Sequence, residues 1–257
     1  GFPRGAAPGS FLHELLEWAG QEGLSSVNAH PAELNAQIER RCRAAGLAAW
    51  APTLQAWMAQ WLVTPLDFGA LGSRAVMAQA ELALAPLPPK PVRPVDLHSL
   101  KVEMEFWFPT PQVRLDQLDA LVRRHTLGGA ARPALSAHTL NGMLKGFIDL
   151  VFEHGGRYFV ADYKSNWLGP QDADYTPARM QQVVLDKRYD LQYVLYVFAL
   201  HRLLRSRLAD YDYDQHVGGA VYLFLRGHAA PSQGLHLERP PAALIQALER
   251  MFSEAAP

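Results

Sequence analysis

A chain of 257 residues is long enough to bury a full core, as one large domain or one domain with a helical appendage. Charged residues make up 19% and hydrophobic residues 49%, which excludes a disordered chain. With 24 Lys and Arg against 25 Asp and Glu, the net charge is −1, so no global basic field marks a nucleic-acid binder and only a local basic surface stays open.

The single cysteine, Cys42, excludes an internal disulfide and a cysteine-based zinc cluster, and it points to a reducing compartment. In "ERRCRAAGL" it reads as a small helix residue. No apolar run approaches the length of a membrane span, and the opening "GFPRGAAPGS" has no signal-peptide core. The first residue is not Met, which predicts a piece of something longer.

In chain order, the first third reads as helices. "SFLHELLEWA" starts at a candidate N-cap, Ser10, with Phe11, Leu12, Leu15, Leu16 and Ala19 at helical spacing. "PAELNAQIERRCRAAG" has Pro31 in its first turn and Gly46 as its stop. "APTLQAWMAQWLV" presents Leu54, Trp57, Trp61 and Leu62 as its apolar side. Residues 84–96, "LAPLPPKPVRPVD", are too rich in proline for a helix interior or central strand and read as an extended surface connector. These 96 residues form a helical region, with the core of the protein in 97–257 and both parts in one integrated domain.

Beyond the connector the periodicity changes. "KVEMEFWF" alternates, with Val102, Met104, Phe106 and Phe108 on one face and Lys101, Glu103, Glu105 and Trp107 on the other. "VRLDQLDALVRRH" is helical. Strands follow at 143–153 and 157–164, then a long helix near 189–208 with Tyr193, Val197, Leu200, Leu204 and Leu208 as its buried stripe. "GGAVYLFLR", 218–226, reads as a strand covered on both faces. Pro240 and Pro241 open a last amphipathic helix through Met251. A helical front followed by strand, helix, two strands, helix and strand predicts an α/β fold, a mixed sheet with helices against it.

The stretch "GFIDLVFEHGGRYFVADYKS" carries charges inside apolar strands. If Gly155-Gly156 is a two-residue turn, His154 faces Arg157 and Asp149 faces Asp162 directly, with Lys164 two residues along on the same side. Two opposed carboxylates repel, so the pair is screened by water, shares a proton, or holds a cation. Residue types alone leave two readings: a solvated strand face with an ion pair, or a hard-cation site for phosphodiester hydrolysis, with Lys164 orienting or deprotonating a water or neutralising charge.

The segment "GMLKGFIDLVFEHGGRYFVADYKSNWLG" resembles the PD-(D/E)XK nuclease superfamily, and within it the nuclease domains of the RecB type. "FPRGAAPGSFLH", "VEMEF", "RYDLQY", "ALHR", "ADYDY" and "YLFLRG" extend the resemblance nearly end to end, with the region between His13 and Glu103 matching least. The resemblance implies a restriction-endonuclease-like mixed sheet flanked by helices. It implies Asp149 as a metal-binding aspartate and Asp162-Tyr163-Lys164 as the (D/E)XK triplet, with Asp162 a ligand and Lys164 the catalytic lysine. It also implies His13 as an additional ligand, Glu103 as an acidic residue of the catalytic set, and Gln192 and Tyr196 as the QxxxY motif that positions DNA or the lysine. The backbone carbonyl of Tyr163 would complete the metal shell, and Mg²⁺ is the implied ion, with Ca²⁺ or Mn²⁺ able to take its place.

The implied activity is hydrolysis of DNA, mainly single-stranded, in double-strand break repair and recombination, as a cytoplasmic, nucleoid-associated bacterial enzyme. The implied partners are DNA, RecC-like and RecD-like subunits, and RecA. No GxxxxGK[ST] loop occurs, so this chain has no ATP site of that type and any motor lies outside it. Lys145, Lys187, Arg188 and the Arg202, Arg205, Arg207 group are candidates for a local basic surface, the last group reading more simply as a solvated helix face. Two rivals stand beside this reading: a nuclease-dead scaffold that binds DNA or partner subunits, and a standalone single-strand nuclease.

Overall fold

A computed structural model describes residues 2–68 and 90–253. Four helices come first: α1 (Ala6–Glu22), α2 (Leu24–Ala29), α3 (Pro31–Ala44) and α4 (Ala51–Val63). Helix α1 starts four residues earlier than Ser10, with Gly5 as its N-cap. Pro8 falls in its first turn, where the missing N–H costs no hydrogen bond, so the proline does not delay the start. Of the proline-rich connector, residues 84–89 lie outside the described residues. Val92 pairs with Leu66 as an isolated bridge, and Pro94–Asp96 makes one 3₁₀ turn.

The sheet has five strands in the order β1-β2-β3-β4-β5. Strands β1 (His98–Arg114), β2 (Thr139–His154) and β3 (Arg157–Lys164) run antiparallel in turn, and helix α5 (Leu115–His125) links the first two. Helices α6 (Pro177–Asp186), α7 (Tyr189–Arg207) and α8 (Tyr213–His216) cross over to β4 (Val217–Phe224), which lies parallel to β3. The short β5 (Leu235–Glu238) closes the edge antiparallel to β4, ahead of the last helix α9 (Ala242–Ser253). Its four residues are too few to show a period, which is why the sequence does not announce it.

Side chains of β3 and β4 alternate between two apolar layers. Phe159, Ala161, Tyr163, Val221 and Leu223 join helices α1–α4, whereas Val160, Ala220, Tyr222 and Phe224 join α5–α7 and α9. Strands β1 and β2 break this alternation at one level. Val102 packs in the α1–α4 layer and Met104 in the other, although two residues separate them. Ile148 and Leu150 are split in the same way. Glu103, between the first pair, has a left-handed φ of 50°. The single face expected for Val102, Met104, Phe106 and Phe108 is therefore two faces, exchanged at Glu103. Asp149 stands at the corresponding level of β2.

Near the sheet edge His236 is 7% exposed, its ring stacked 6.4 Å from that of Tyr222. Burial pushes its pKa down to about 4. Across pH 4 to 6.5 the unfolded imidazole takes up a proton that the folded one refuses, so this contribution to stability falls as pH drops. Burial pushes the neighbouring Glu238 up to about 7, with Arg132 opposing. Its folded carboxyl keeps a proton that the unfolded one releases, so between pH 4.5 and 7 its contribution falls as pH rises. Urea unfolding across this range should show His236→Phe losing stability relative to the parent with rising pH, and Glu238→Gln losing it relative to the parent with falling pH. The His236 term should be on the order of 3 kcal/mol at most. Curves parallel to the parent's in both variants would refute the assignment.

Candidate active site

The hairpin between β2 and β3 turns through Gly155 and Gly156, with φ of 62° and 78°, the left-handed pair that a two-residue turn requires. His154 pairs with Arg157, and the register runs unbroken to Leu150 and Ala161. There the paired rungs end. The direct Asp149–Asp162 opposition expected from the arithmetic is not formed as a strand pair. Instead Asp149 Oδ2 accepts from the backbone N–H of Tyr163 at 2.8 Å, so a side chain takes up a strand donor where the ladder has stopped. The two strands open as a fork with the Asp149 carboxylate at its base.

Strand β3 continues past the fork because β4 supports its other edge, with Asp162 beside Tyr222 and Lys164 beside Phe224. The Asp162 and Lys164 side chains are only 6% and 8% exposed, and Lys164 Nζ lies 2.7 Å from Asp162 Oδ2. Burial pushes the Asp162 pKa up to about 6, against the Lys164 ammonium, which favours the charged form. Lys164 Nζ also donates to Gln192 Oε1 at 2.7 Å, and it sits 3.8 Å and 4.5 Å from the ring centres of Tyr189 and Tyr222. Those two rings were not singled out in the sequence. The available signal was a tyrosine in the otherwise apolar run "AVYLF", whose hydroxyl needs a partner. It donates to the Tyr189 carbonyl at 2.6 Å and lies 3.0 Å from Gln192 Oε1.

His13 arrives from the opposite layer. Gly9, His13 and Gly20 are spaced by four and seven residues, which puts them on one face of α1. A Cβ at Gly9 would stand 2.6 Å from Ser165 Oγ, and one at Gly20 would stand 2.8 Å from Val102 Cγ2. The two glycines let α1 lie against the sheet on either side of the fork. His13 Nδ1 then reaches to 3.4 Å from Asp149 Oδ2. Burial alone would lower the His13 pKa, but the hydrogen bond and charge of Asp149, with help from Asp162, leave it raised. Glu103 is pushed up by burial and then by the charges of Glu17 and Asp149, so it stands within electrostatic reach of the fork.

Helix α7 supplies the remaining wall. Gln192 Nε2 donates to Tyr196 Oη at 2.8 Å, making one chain Lys164–Gln192–Tyr196. Burial and the charges of Asp162 and Asp149 push the Tyr196 hydroxyl well up. The helix start is pinned by a buried pair, Arg132 Nη1 to Asp190 Oδ2 at 2.8 Å, both side chains 0% exposed. Arg188 joins the same network through Asp190 and Asp119. This corrects its expected place on a basic surface: its guanidinium is committed to those carboxylates. Arg202 and Arg205 likewise hold Glu249. Lys145 pairs with Glu105 and lies over the rings of Trp107 and Phe147, at 4.8 Å and 4.9 Å.

A cavity of about 510 Å³ opens at the fork. His13, Asp149, Asp162, Tyr163, Lys164, Gln192 and Tyr196 line it, whereas Glu103 and Lys145 do not. Arg4, Gly5, Ser165, Asn166, Trp167 and Tyr189 complete the lining beyond the residues singled out from sequence. Among the described residues no group of three His, Cys, Asp or Glu side chains is drawn into a ready metal cage. The donor set still fits a hard cation. Asp162 offers a buried carboxylate shared with the Lys164 ammonium, Asp149 offers a second carboxylate, and His13 adds an imidazole nitrogen.

A mixed sheet flanked by helices, forked beside a buried Asp-Tyr-Lys triplet, defines a nuclease class. The chain belongs to the PD-(D/E)XK nuclease superfamily, whose family model matches residues 3–256. The chain is similar to the RecBCD enzyme subunit RecB of Escherichia coli (strain K12), 40% identical over 98% of this chain and 19% of that subunit. It matches the RecB subunit of Mycobacterium tuberculosis (strain H37Rv) at 32% identity over 97% of this chain and 24% of that protein. The RecB subunit of Haemophilus influenzae is 44% identical over 46% of this chain and 10% of its own length. The chain thus spans a quarter or less of the length of these relatives. Among the described residues no helix is long and apolar enough to cross a membrane.

Gln192 accepts from Lys164 and donates to Tyr196, so Gln192→Met should release the lysine while keeping the helix packing. Nuclease kcat should fall on the order of 10- to 100-fold, with a melting temperature close to the parent's. An unchanged kcat would remove Gln192 from the site.

Proposed function

We propose that this chain is a divalent-metal-dependent DNA nuclease that hydrolyses phosphodiester bonds, mainly in single strands. The observation that carries this reading is the convergence of His13, Asp149, Asp162 and Lys164, from three elements, on one cavity. His13, Asp149 and Asp162, with the Tyr163 carbonyl, would hold Mg²⁺. When bound, such an ion supplies Lewis acidity toward a phosphate oxygen and lowers the pKa of a water.

The chain's own groups do the rest. Lys164, paired with Asp162 and tethered to Gln192, presents a fixed ammonium to the cavity. There it steadies the negative charge that grows on the phosphate during displacement. The Tyr189 and Tyr222 rings hold that ammonium from the side and keep bulk water from it. Glu103, outside the cavity wall, tunes the charge around Asp149 and His13. An enzyme that degrades arbitrary sequence holds phosphates and base faces rather than base edges. By kinship with RecB subunits, we place the chain in a helicase–nuclease assembly with RecC-like and RecD-like subunits, acting in double-strand break repair and helping to load RecA.

Titration of divalent metal against cleavage of linear single-stranded DNA tests the reading. Cleavage should appear with Mg²⁺, vanish in EDTA, and fall by about 100- to 1,000-fold or more in Asp149→Ala, Asp162→Asn and Lys164→Gln. Asp162→Asn is preferred to alanine because it keeps the shape beside a buried ammonium. Parent-rate degradation by Asp162→Asn would overturn the site.

A further inference from the structure

Two cavity residues, Arg4 and Trp167, have no part in the chemistry above. Arg226, just after β4, places them. Its Nε donates to the Ser165 carbonyl at 2.9 Å, its Nη1 to the Phe2 carbonyl at 2.8 Å, and its Nη2 to the Pro3 carbonyl. This clamp ties the segment before α1 to the loop leaving β3. The next residue, Arg4, then lies with its guanidinium carbon 3.5 Å from the ring centre of Trp167, which remains 43% exposed.

The charges are unequal in kind. Arg4 and Lys164 are the lysine and arginine side chains among the described residues that line the cavity. Lys164 sits 2.7 Å from Asp162, whereas Arg4 meets the Trp167 ring and has no carboxylate within ion-pair distance among the described residues. A guanidinium with no counter-ion among the described residues, lining a cavity that holds two carboxylates, is a place for an anion that comes from outside. The aromatic face beside it is a place for a flat ring.

We infer that Arg4 and Trp167 form a nucleotide subsite at the cavity mouth, taking one phosphodiester and its neighbouring base beside the bond to be cut. The inference rests on the nuclease reading above. The planar fork of N–H donors on Arg4 suits a phosphate's oxygens, and it offsets the repulsion between the incoming strand and Asp149 and Asp162. Trp167 stacks any base, since every base has a π face, so the subsite holds a strand without selecting sequence.

The test uses the full chain as parent, Arg4→Gln, Arg4→Lys, Trp167→Ala and Trp167→Phe. Binding of labelled oligothymidylate and of its abasic analogue is followed by anisotropy in EDTA over a salt series, and kcat and KM are measured in Mg²⁺. Arg4→Gln should weaken binding about tenfold and reduce the slope of log K against log salt by about 0.7, while Arg4→Lys keeps the slope. Trp167→Ala should weaken binding roughly 5- to 100-fold on the oligothymidylate and leave the abasic strand unaffected, with Trp167→Phe recovering most of the loss. KM should rise while kcat moves by less than about threefold. A parent slope in Arg4→Gln, or equal losses on both strands in Trp167→Ala, would reduce the pair to a clasp between two segments and overturn the subsite. If the parent binds with an Arg4-dependent slope yet never cleaves, the nuclease reading falls and the subsite stands. If it cleaves without these contrasts, the subsite falls and the nuclease reading stands.

Discussion

Tyr163, two residues past the last paired rung of β3, gives its backbone N–H to the carboxylate of Asp149, one residue past it on β2. That bond holds the fork open and fixes the carboxylate without ordering it from a flexible loop. Because Tyr163 lies between Asp162 and Lys164, the same strand displays those two side chains toward α7 while its own ring packs toward α1 and α4. One strand therefore addresses both layers at once, and the cavity forms where they meet. The exchange of faces at Glu103 in β1 and beside Asp149 in β2 keeps both layers apolar through this change.

Burial sets the character of the charged groups. A lysine and an aspartate under a tenth exposed gain little net stability from each other, since taking both from water costs about what their attraction returns. Their value lies in position. Gln192 and two tyrosine rings hold the ammonium, and Gln192 in turn sits two residues after the Arg132–Asp190 pair that anchors α7. A displacement at that anchor would move the lysine's acceptor, so the buried pair behind the helix and the exposed cavity in front of it form one mechanical unit.

Much of this was legible in the sequence because it depends on local rules. The Gly-Gly turn sets the register down to Leu150 and Ala161, and the spacing of apolar residues marks α1, α3, α4 and α7. The misread parts depend on distant contacts. "KVEMEFWF" alternates without a break, and only packing against Gly20 shows that Val102 belongs to the other layer. Arg188 looks like surface until Asp119, 69 positions away in sequence, closes on it. Arg4, Tyr189, Tyr222 and Trp167 carry no motif that spacing alone would flag, because their roles come from contacts between separate segments: Arg4 with Trp167, and the two tyrosine rings with Lys164.

The clamp made by Arg226 joins residues 224 positions apart, from Phe2 to the turn after β4. During synthesis the first helix, with His13, leaves the ribosome long before Tyr222 and Arg226 exist. A nascent chain that already carries Asp149, Asp162 and Lys164 lacks β4, and with it the support for the outer edge of β3. The wall formed by Arg4 and Trp167 is missing as well. The order of translation therefore leaves the cavity without its outer support until β4 and Arg226 have been made, well after Lys164.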